Sequence, residues 1–395
     1  MADTDVVLCH ALRMPVGRFG GTLKSTPATE LGAVALRAVL ERSGLDPAEV
    51  DGMVMGHVVT AGAGMNPARQ AALHGGLPKS VPAMTVNRVC GSGAQAIATA
   101  AQEVRLGDAH CMIAGGMENM DRGPYLLDRA RWGYRMGPGT VDDATLRDGL
   151  NDAFSDEHSG WHTEDLADAR DITRKAQDAW AARSQQRFAT EQEAGHFEGE
   201  IVPVPVPGES GETSFETDEG NRPDATAEGL ARLKPAFRED GTITAGNAPG
   251  LNSAAAAMIV ASRGFARDHG LDIAGRLVAS GVGAVEPGMF GLGPVPAVYQ
   301  ALDRAGWSIG DIQRAEINEA FAAIAIALTE ELGLSEDIVN VDGGAIALGH
   351  PIGATGAILT TRLLHSMARD GVNRGLVTLC IGGGQGIALL LERGG

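Results

Sequence analysis

The sequence predicts an α/β protein of two similar halves with a separate segment inserted in the first, and three observations carry that reading. The first is an internal repeat. Leu40-Glu-Arg-Ser-Gly44 answers Leu302-Asp-Arg-Ala-Gly306 at an offset of 262. Gly93-Ala94 opens a helical stretch closing at Leu106-Gly-Asp108, and Gly356-Ala357 opens another closing at Arg369-Asp-Gly371, about 263 residues on. The second is alternation: short apolar runs that end in glycine, separated by longer helical patterns, describe strands buried between helices. The third is a change of texture between about Met120 and Ala248, where the chain becomes charged and proline-bearing.

Taken in order, Asp51 to Gly56 reads as a buried strand, Ala94 to Val104 as an alanine-rich helix, and Cys111 to Gly116 as the strand after it. The inserted part holds a strong helix, Thr173 to Glu193, a proline-rich stretch, Ile201 to Gly208, and an acidic run to Asp218. Gly375 to Ile381 repeats the Cys111 strand. The expected division is a first half at 1–119, completed by about 249–270, an inserted loop domain at 120–248 able to cover a site made by the two copies, and a second half at 271–395.

A chain of 395 residues can bury a large core, and 55 glycines without a fixed period point to tight turns. The net charge of −18 with no basic run argues against nucleic acid and anionic membrane surfaces as partners. It leaves an anionic small molecule possible, because helix N-termini and a few arginines hold phosphate locally. Met1 to Gly21 lacks the pattern of a secretory leader, and apolar runs stay short of a membrane span, so a soluble, cytoplasmic protein is expected. Cys9, Cys90, Cys111 and Cys380 lie far apart, which fits free thiols in a reducing compartment.

Four motifs carry chemistry. Val86-Asn-Arg-Val-Cys90-Gly-Ser-Gly93 leads straight into a helix, where free N–H groups and the helix dipole favour a thiolate nucleophile; the plain alternative is a small residue buried at a tight turn. Gly349-His350-Pro351 stands at the equivalent turn of the second copy, and in a pseudo-twofold fold such turns face one another. Cys380-Ile-Gly-Gly-Gly384-Gln-Gly386 places a second thiol at a strand end where glycines allow close approach to a ligand. Asn318-Glu319-Ala320-Phe321 has the alternative reading of a helix N-cap.

These motifs, in this order and spacing, resemble the thiolase family nearly end to end. Arg13 to Gly21, Asn66 to Gln70, Ala114 to Met120 and Leu233 to Phe237 support the match. The resemblance implies a thiolase-like fold, two similar α/β halves layered αβαβα with an inserted loop domain, and a homodimer or homotetramer. It implies coenzyme A and acetyl-CoA as substrates, no prosthetic group and no metal. It makes Cys90 the nucleophile, His350 the base that takes its proton, and Cys380 the acid/base at the α-carbon of a second acetyl-CoA. Asn318 would hold a water that forms one oxyanion site with His350, and the N–H groups of Cys90 and Gly382 would form the other. Carried over in the same way, His158, Ser159, Arg222, Ala248, Pro249 and Phe321 fall at substrate and CoA contacts. The reaction implied is reversible Claisen condensation of acyl-CoA with acetyl-CoA, or CoA-dependent thiolysis in fatty acid metabolism. A broad-chain degradative thiolase and a non-catalytic acyl-CoA-binding relative are the alternatives; a β-ketoacyl synthase is disfavoured by Cys380.

The sequence departs from the family in three places. Ser159 stands where a methionine usually narrows the acyl pocket, with Trp161 and His162 available to refill it. Pro249 replaces a serine that bonds pantetheine. Ala94 replaces a larger apolar residue, with a packing consequence only. His158, His162 and Glu164 have metal-like spacing, but Gly160 and an expected loop context speak against a site.

Overall fold

The computed structural model describes residues 2–208 and 211–393; the expected outer limits at Met1, Gly394 and Gly395, and Glu209-Ser210 in the acidic run, lie outside the described residues. The first half runs β1 (Val6–Arg13), α1 (Ala28–Ser43), β2 (Gly52–Gly56), α2 (Pro67–His74), β3 (Ala83–Val86), α3 (Ser92–Leu106) and β4 (Cys111–Asn119). The chain then leaves the sheet, forms α4 (Ser159–Ala169) and α5 (Arg174–Glu193), and returns as β5 (Asn252–Ser262). The second half contains β6 (Ile273–Ala284), α6 (Pro294–Ala305), β7 (Arg314–Ile317), α7 (Ala322–Glu331), α8 (Thr355–Asp370), β8 (Arg374–Ile381) and β9 (Gln385–Glu392).

Strand order is β7-β8-β9-β6-β1-β5-β4-β2-β3. Outward from the antiparallel join of β1 with β6, the order β1-β5-β4-β2 in one half is answered by β6-β9-β8-β7 in the other. Inner pairs are antiparallel and outer pairs parallel in both. The counterpart of β3 has shrunk to one parallel bridge, Ala315 to Val339. The duplicated helix ends also match: Gly44 (φ 65°) and Gly306 (φ 66°) close α1 and α6 in the left-handed conformation, where glycine carries no steric cost.

Alternation along the strands sorts the core into layers. Leu8 and Val54 from the first half and Leu379 and Leu389 from the second bury against Ile97 of α3 and Ile358 of α8, so these two helices form the middle layer. The opposite faces, Val7, Cys9 and Ile259 in one half and Ile317, Leu376 and Leu390 in the other, pack under outer helices α1 and α2 or α6 and α7. The result is αβαβα.

In the inserted part, Thr173 caps α5 by accepting from the Ala176 N–H at 3.2 Å. The proline-rich stretch forms a strand, Val204–Gly208, paired with Gly211–Phe215. Asp218, at the end of the acidic run, is buried in a two-pronged pair with Arg13 of β1 (2.8 and 3.0 Å), and Glu200 takes the third guanidinium contact at 2.7 Å. Among the described residues no helix is long and apolar enough to cross a membrane.

Candidate active site

The N-termini of α3 and α8 meet at the centre of the molecule. A Cβ on Gly93 would lie 2.6 Å from the Ala357 nitrogen, and one on Gly356 would lie 2.3 Å from that of Ala94. Only glycines permit this approach, and the small Ala94 fits the same crossing. The turns that lead into the two helices carry Cys90 and His350, so the duplication brings together residues far apart in the chain.

Cys90 is half-buried at the edge of a cavity of about 530 Å³. Its turn is over-determined. The Ser92 hydroxyl donates to the Val89 carbonyl (2.7 Å), the Arg88 N–H donates to that hydroxyl (2.9 Å), and the Val89 N–H donates to Asn87 Oδ1 (2.9 Å). These bonds hold Val89 at φ 43°, a costly conformation for a β-branched residue, immediately before the thiol. The thiol itself is pushed up to about 11, chiefly by burial; N–H groups of Gly382 and of Cys90 oppose the rise, and the Glu118 charge adds to it. The expected thiolate is therefore corrected to a neutral thiol. The helix begins at Ser92, two residues beyond Cys90, and its field does not overcome desolvation.

His350 is buried and follows Gly349, whose φ of 115° suits glycine and whose Cβ would strike Asn252 at 2.7 Å. The Asn252 side-chain oxygen accepts the His350 N–H (2.9 Å). Thr355 spends its one hydroxyl proton on the Pro351 carbonyl (2.9 Å), so at 2.7 Å it accepts from His350 Nδ1–H. That leaves Nε2 with its lone pair. Burial pushes the imidazole down to about 4, so it is neutral at pH 7. The Asn318 amide reaches Nε2 at 3.3 Å, a long bond that competes weakly for the lone pair, and Asn318 Oδ1 is buried without a partner among the described residues. Asn318 is not an N-cap: α7 starts at Ala322, with Phe321 in the cap position.

Glu319 beside it is structural. Trp180 Nε1 (2.8 Å) and Asn340 Nδ2 (3.0 Å) donate to one oxygen, the Ser184 hydroxyl (2.8 Å) and Ile346 N–H (3.0 Å) to the other. Cys380, on β8, is fully buried and does not line the cavity; burial, then the neighbouring Cys90, hold its thiol well above the ordinary range. Gly382, two residues on, does line it.

The cavity wall opposite comes from the inserted part. His158 caps α4 by accepting the Gly160 N–H on Nδ1 (2.9 Å), stacks on Phe237 (4.6 Å between centroids), and is held neutral by burial, which lowers its pKa. Phe237 meets Phe321 edge-on at 6.0 Å. The stretch expected as a loop is thus the start of a helix, and Gly160 is needed because a Cβ would lie 2.2 Å from the Phe237 ring. Ser159 and His162 both line the cavity, whereas Trp161 turns outward under the Arg238 guanidinium (4.5 Å) and does not refill it. His162 Nε2 is engaged by the Ser155 hydroxyl (2.7 Å), and Glu164 by the N–H groups of Thr242 and Ile243, so the three do not converge as ligands.

Ala248 and Pro249, with Gly250 and Leu251, form a wall shared with a second cavity of about 440 Å³, and exposed Arg222 lines that one. Among the expected substrate and CoA contacts, Arg222 is the one that does not line the thiol cavity. Sequence reasoning gave no role to Thr355, Asn252 or Glu118. Glu118 lay inside the Ala114 to Met120 match and Thr355 five residues after His350, but only the folded contacts reveal what the three do.

On this duplicated α/β scaffold, two helix-start turns present a thiol and a neutral imidazole to one cavity, an arrangement that can carry acyl transfer through a cysteine. Residues 6–264 match "Thiolase, N-terminal domain" and residues 271–393 match "Thiolase, C-terminal domain". The chain belongs to the thiolase family. It is 51% identical to an acetyl-CoA acetyltransferase of Pseudomonas aeruginosa, covering 98% of this chain and 99% of the relative. It is 49% identical to a probable acetyl-CoA acyltransferase of Staphylococcus epidermidis, covering 98% of each. A crystal structure of the Bacillus anthracis acetyl-CoA acetyltransferase superposes with a TM-score of 0.96 at 42% identity, again over 98% of both chains.

Proposed function

We propose that this thiolase is an acetyl-CoA C-acetyltransferase that works through an acyl group on Cys90. The observation that carries the reading is the meeting of Cys90, the free Nε2 of His350 and the Gly382 N–H at one cavity, with Cys380 buried beside the first thiol. Cys90 Sγ attacks the thioester carbonyl while its proton passes to His350 Nε2. Because the thiol and the imidazole are both neutral at rest, transfer and attack go together, and the developing oxyanion is met by the N–H groups of Cys90 and Gly382. CoA leaves with a proton returned by His350.

Acylation turns the Cys90 thiol into a thioester, so Cys90 can no longer ionise beside Cys380. Cys380 gives its thiol proton to the neutral His350 and takes the α-proton of a second acetyl-CoA, and the enolate oxygen lies between His350 and a water on Asn318 Oδ1. The new carbon–carbon bond forms as the Cys90 thioester breaks and its sulfur takes the proton back from His350; thiolysis is the reverse. His158, Phe237 and Phe321 wall the acyl and pantetheine path, Ala248 and Pro249 its far side, and Arg222 meets the nucleotide phosphates in the adjoining cavity. The segment 120–248 serves as the cover of this site. A cytoplasmic homodimer or homotetramer completes the reading.

Ser159 leaves a wider, more polar acyl wall than a methionine would, which supports chains longer than acetoacetyl as substrates too. CoA-dependent cleavage of a 3-ketoacyl-CoA series by the purified protein decides this. Turnover of acetoacetyl-CoA alone makes it a strict acetyltransferase, equal or better turnover of longer chains makes it a broad thiolase, and no cleavage of any member overturns the reading.

A further inference from the structure

Glu118 enters none of these steps, yet it joins the two turns on which they depend. It lies on β4, fully buried. One oxygen accepts the N–H groups of Val58 (3.1 Å) and Gly353 (3.0 Å), and the other accepts that of Val59 at 3.3 Å and faces His57 Nε2 at 3.2 Å. His57 is itself buried, and its Nδ1 has no partner among the described residues, so the polar group its ring faces is the carboxylate. Gly353 stands between His350 and Thr355. A Cβ there would lie 2.7 Å from the Glu118 carboxylate, and its carbonyl sits so close to β2 and β4 that a Cβ on Gly56 or Gly116 would come within 2.6 or 2.2 Å.

We propose that Glu118, held by His57, is a positioning residue of the thiol site: it clamps the His350 turn of the second half onto the loop after β2 of the first and so sets His350 against Cys90. Charge-assisted bonds from three backbone N–H groups are stronger than neutral ones, and a carboxylate accepts all three while facing the His57 ring at 3.2 Å. The same negative charge favours the protonated form of Cys90. A glutamine keeps the shape, but it offers one acceptor oxygen and places an NH₂ against N–H donors. The turn loosens and the charge disappears together.

The test uses the full-length protein with the substitution E118Q and two readouts. The first is thiolysis of acetoacetyl-CoA, where kcat should fall by about thirtyfold with KM changed by less than about threefold, since the groups moved act on the reacting atoms. The second is the pH midpoint of Cys90 alkylation by iodoacetamide, mapped at the Cys90 peptide, which should move down by about half a unit or more once the charge is gone. The other titratable groups at this thiol, His350 and Cys380, are unchanged in that variant. A purely structural role would lower the melting temperature without moving that midpoint. H57A should lose about tenfold in kcat, and H57Q, whose amide N–H replaces Nε2–H, should regain most of it.

A folded E118Q with kcat within about twofold of wild type and an unmoved midpoint overturns the proposal. So does an H57Q variant as impaired as H57A, and this pair decides the matter if E118Q does not fold. The kcat readout rests on the thiolase activity proposed above. Failure of the wild-type protein to cleave any 3-ketoacyl-CoA overturns that reading, while the alkylation midpoint still judges Glu118.

Discussion

In the first half, the turn before α3 lifts Cys90 to the rim of an open cavity on a strained Val89; in the second, the equivalent turn before α8 buries His350 and fixes it through Asn252 and Thr355. The scaffolds are copies, and the brackets that hold them differ. The first spends its side-chain hydrogen bonds on backbone geometry and leaves the sulfur only backbone N–H groups, and the second spends them on the ring and leaves Nε2 with one long bond from Asn318. Desolvation acts on both turns with opposite sign, raising an acid and lowering a base, and it leaves a neutral pair. Duplication supplies two facing positions, and burial with local bonding assigns their duties.

The largest break in this comparison is C90S. A serine hydroxyl in the same place meets a neutral imidazole that is too weak a base for it, so thiolysis should fall by about 10⁴-fold or more, and a radiolabelled acetyl group should no longer be retained on the protein. Retention at the same position would show that the nucleophile lies elsewhere. C380S tests the thiol that the cavity does not reach. Acetylation of Cys90 should persist while carbon–carbon bond formation drops by about 10² to 10⁴-fold, a split visible in stopped-flow bursts. Full condensation by C380S would move the α-proton base to another residue.

T355V sharpens the second turn. Without an acceptor at Nδ1 the imidazole is free to take the wrong tautomer, and kcat should fall by about ten- to a hundredfold with little change in KM. The smallest effect concerns stability. The His350 pKa is lowered from the ordinary 6.5 to about 4 on folding. Between those values the unfolded chain takes up a proton that the folded one refuses, so the contribution is fully present above about pH 6.5 and is lost as pH falls toward 4, roughly 3 kcal/mol in all. Urea melts at pH 7 and 4.5 should show H350N losing less stability across that interval than wild type. Equal losses would mean that His350 is not desolvated.

How much of the site was legible depended on what each residue bonds to. Cys90 and His350 announced themselves because their turns are local: glycines flank both, and the repeat sets them opposite each other. Ser159 was visible as a departure, but its helix was not, because His158 caps it with an imidazole, an uncommon N-cap group, and Gly160 reads as a breaker until the Phe237 ring is seen against it. Asn318 also allowed the reading of a cap, because polar residues before an apolar run usually are; its amide instead faces His350 within the second half. Asp218 closed an acidic run in the sequence, and the fold makes it the buried partner of Arg13.

By itself the sequence determined the α/β class, the twofold repeat, the place of the insertion between β4 and β5, and the chemical identity of the thiols and the imidazole. Periodicity, glycine caps and local turns follow from neighbours in the chain. Only the tertiary structure decided that Cys90 rests as a thiol, that His350 is a neutral base with Nε2 free, that Cys380 lies behind the cavity wall, and that Glu118 bridges the halves. Each of these depends on desolvation and on partners brought together by folding, and those are set by how the two halves close around α3 and α8.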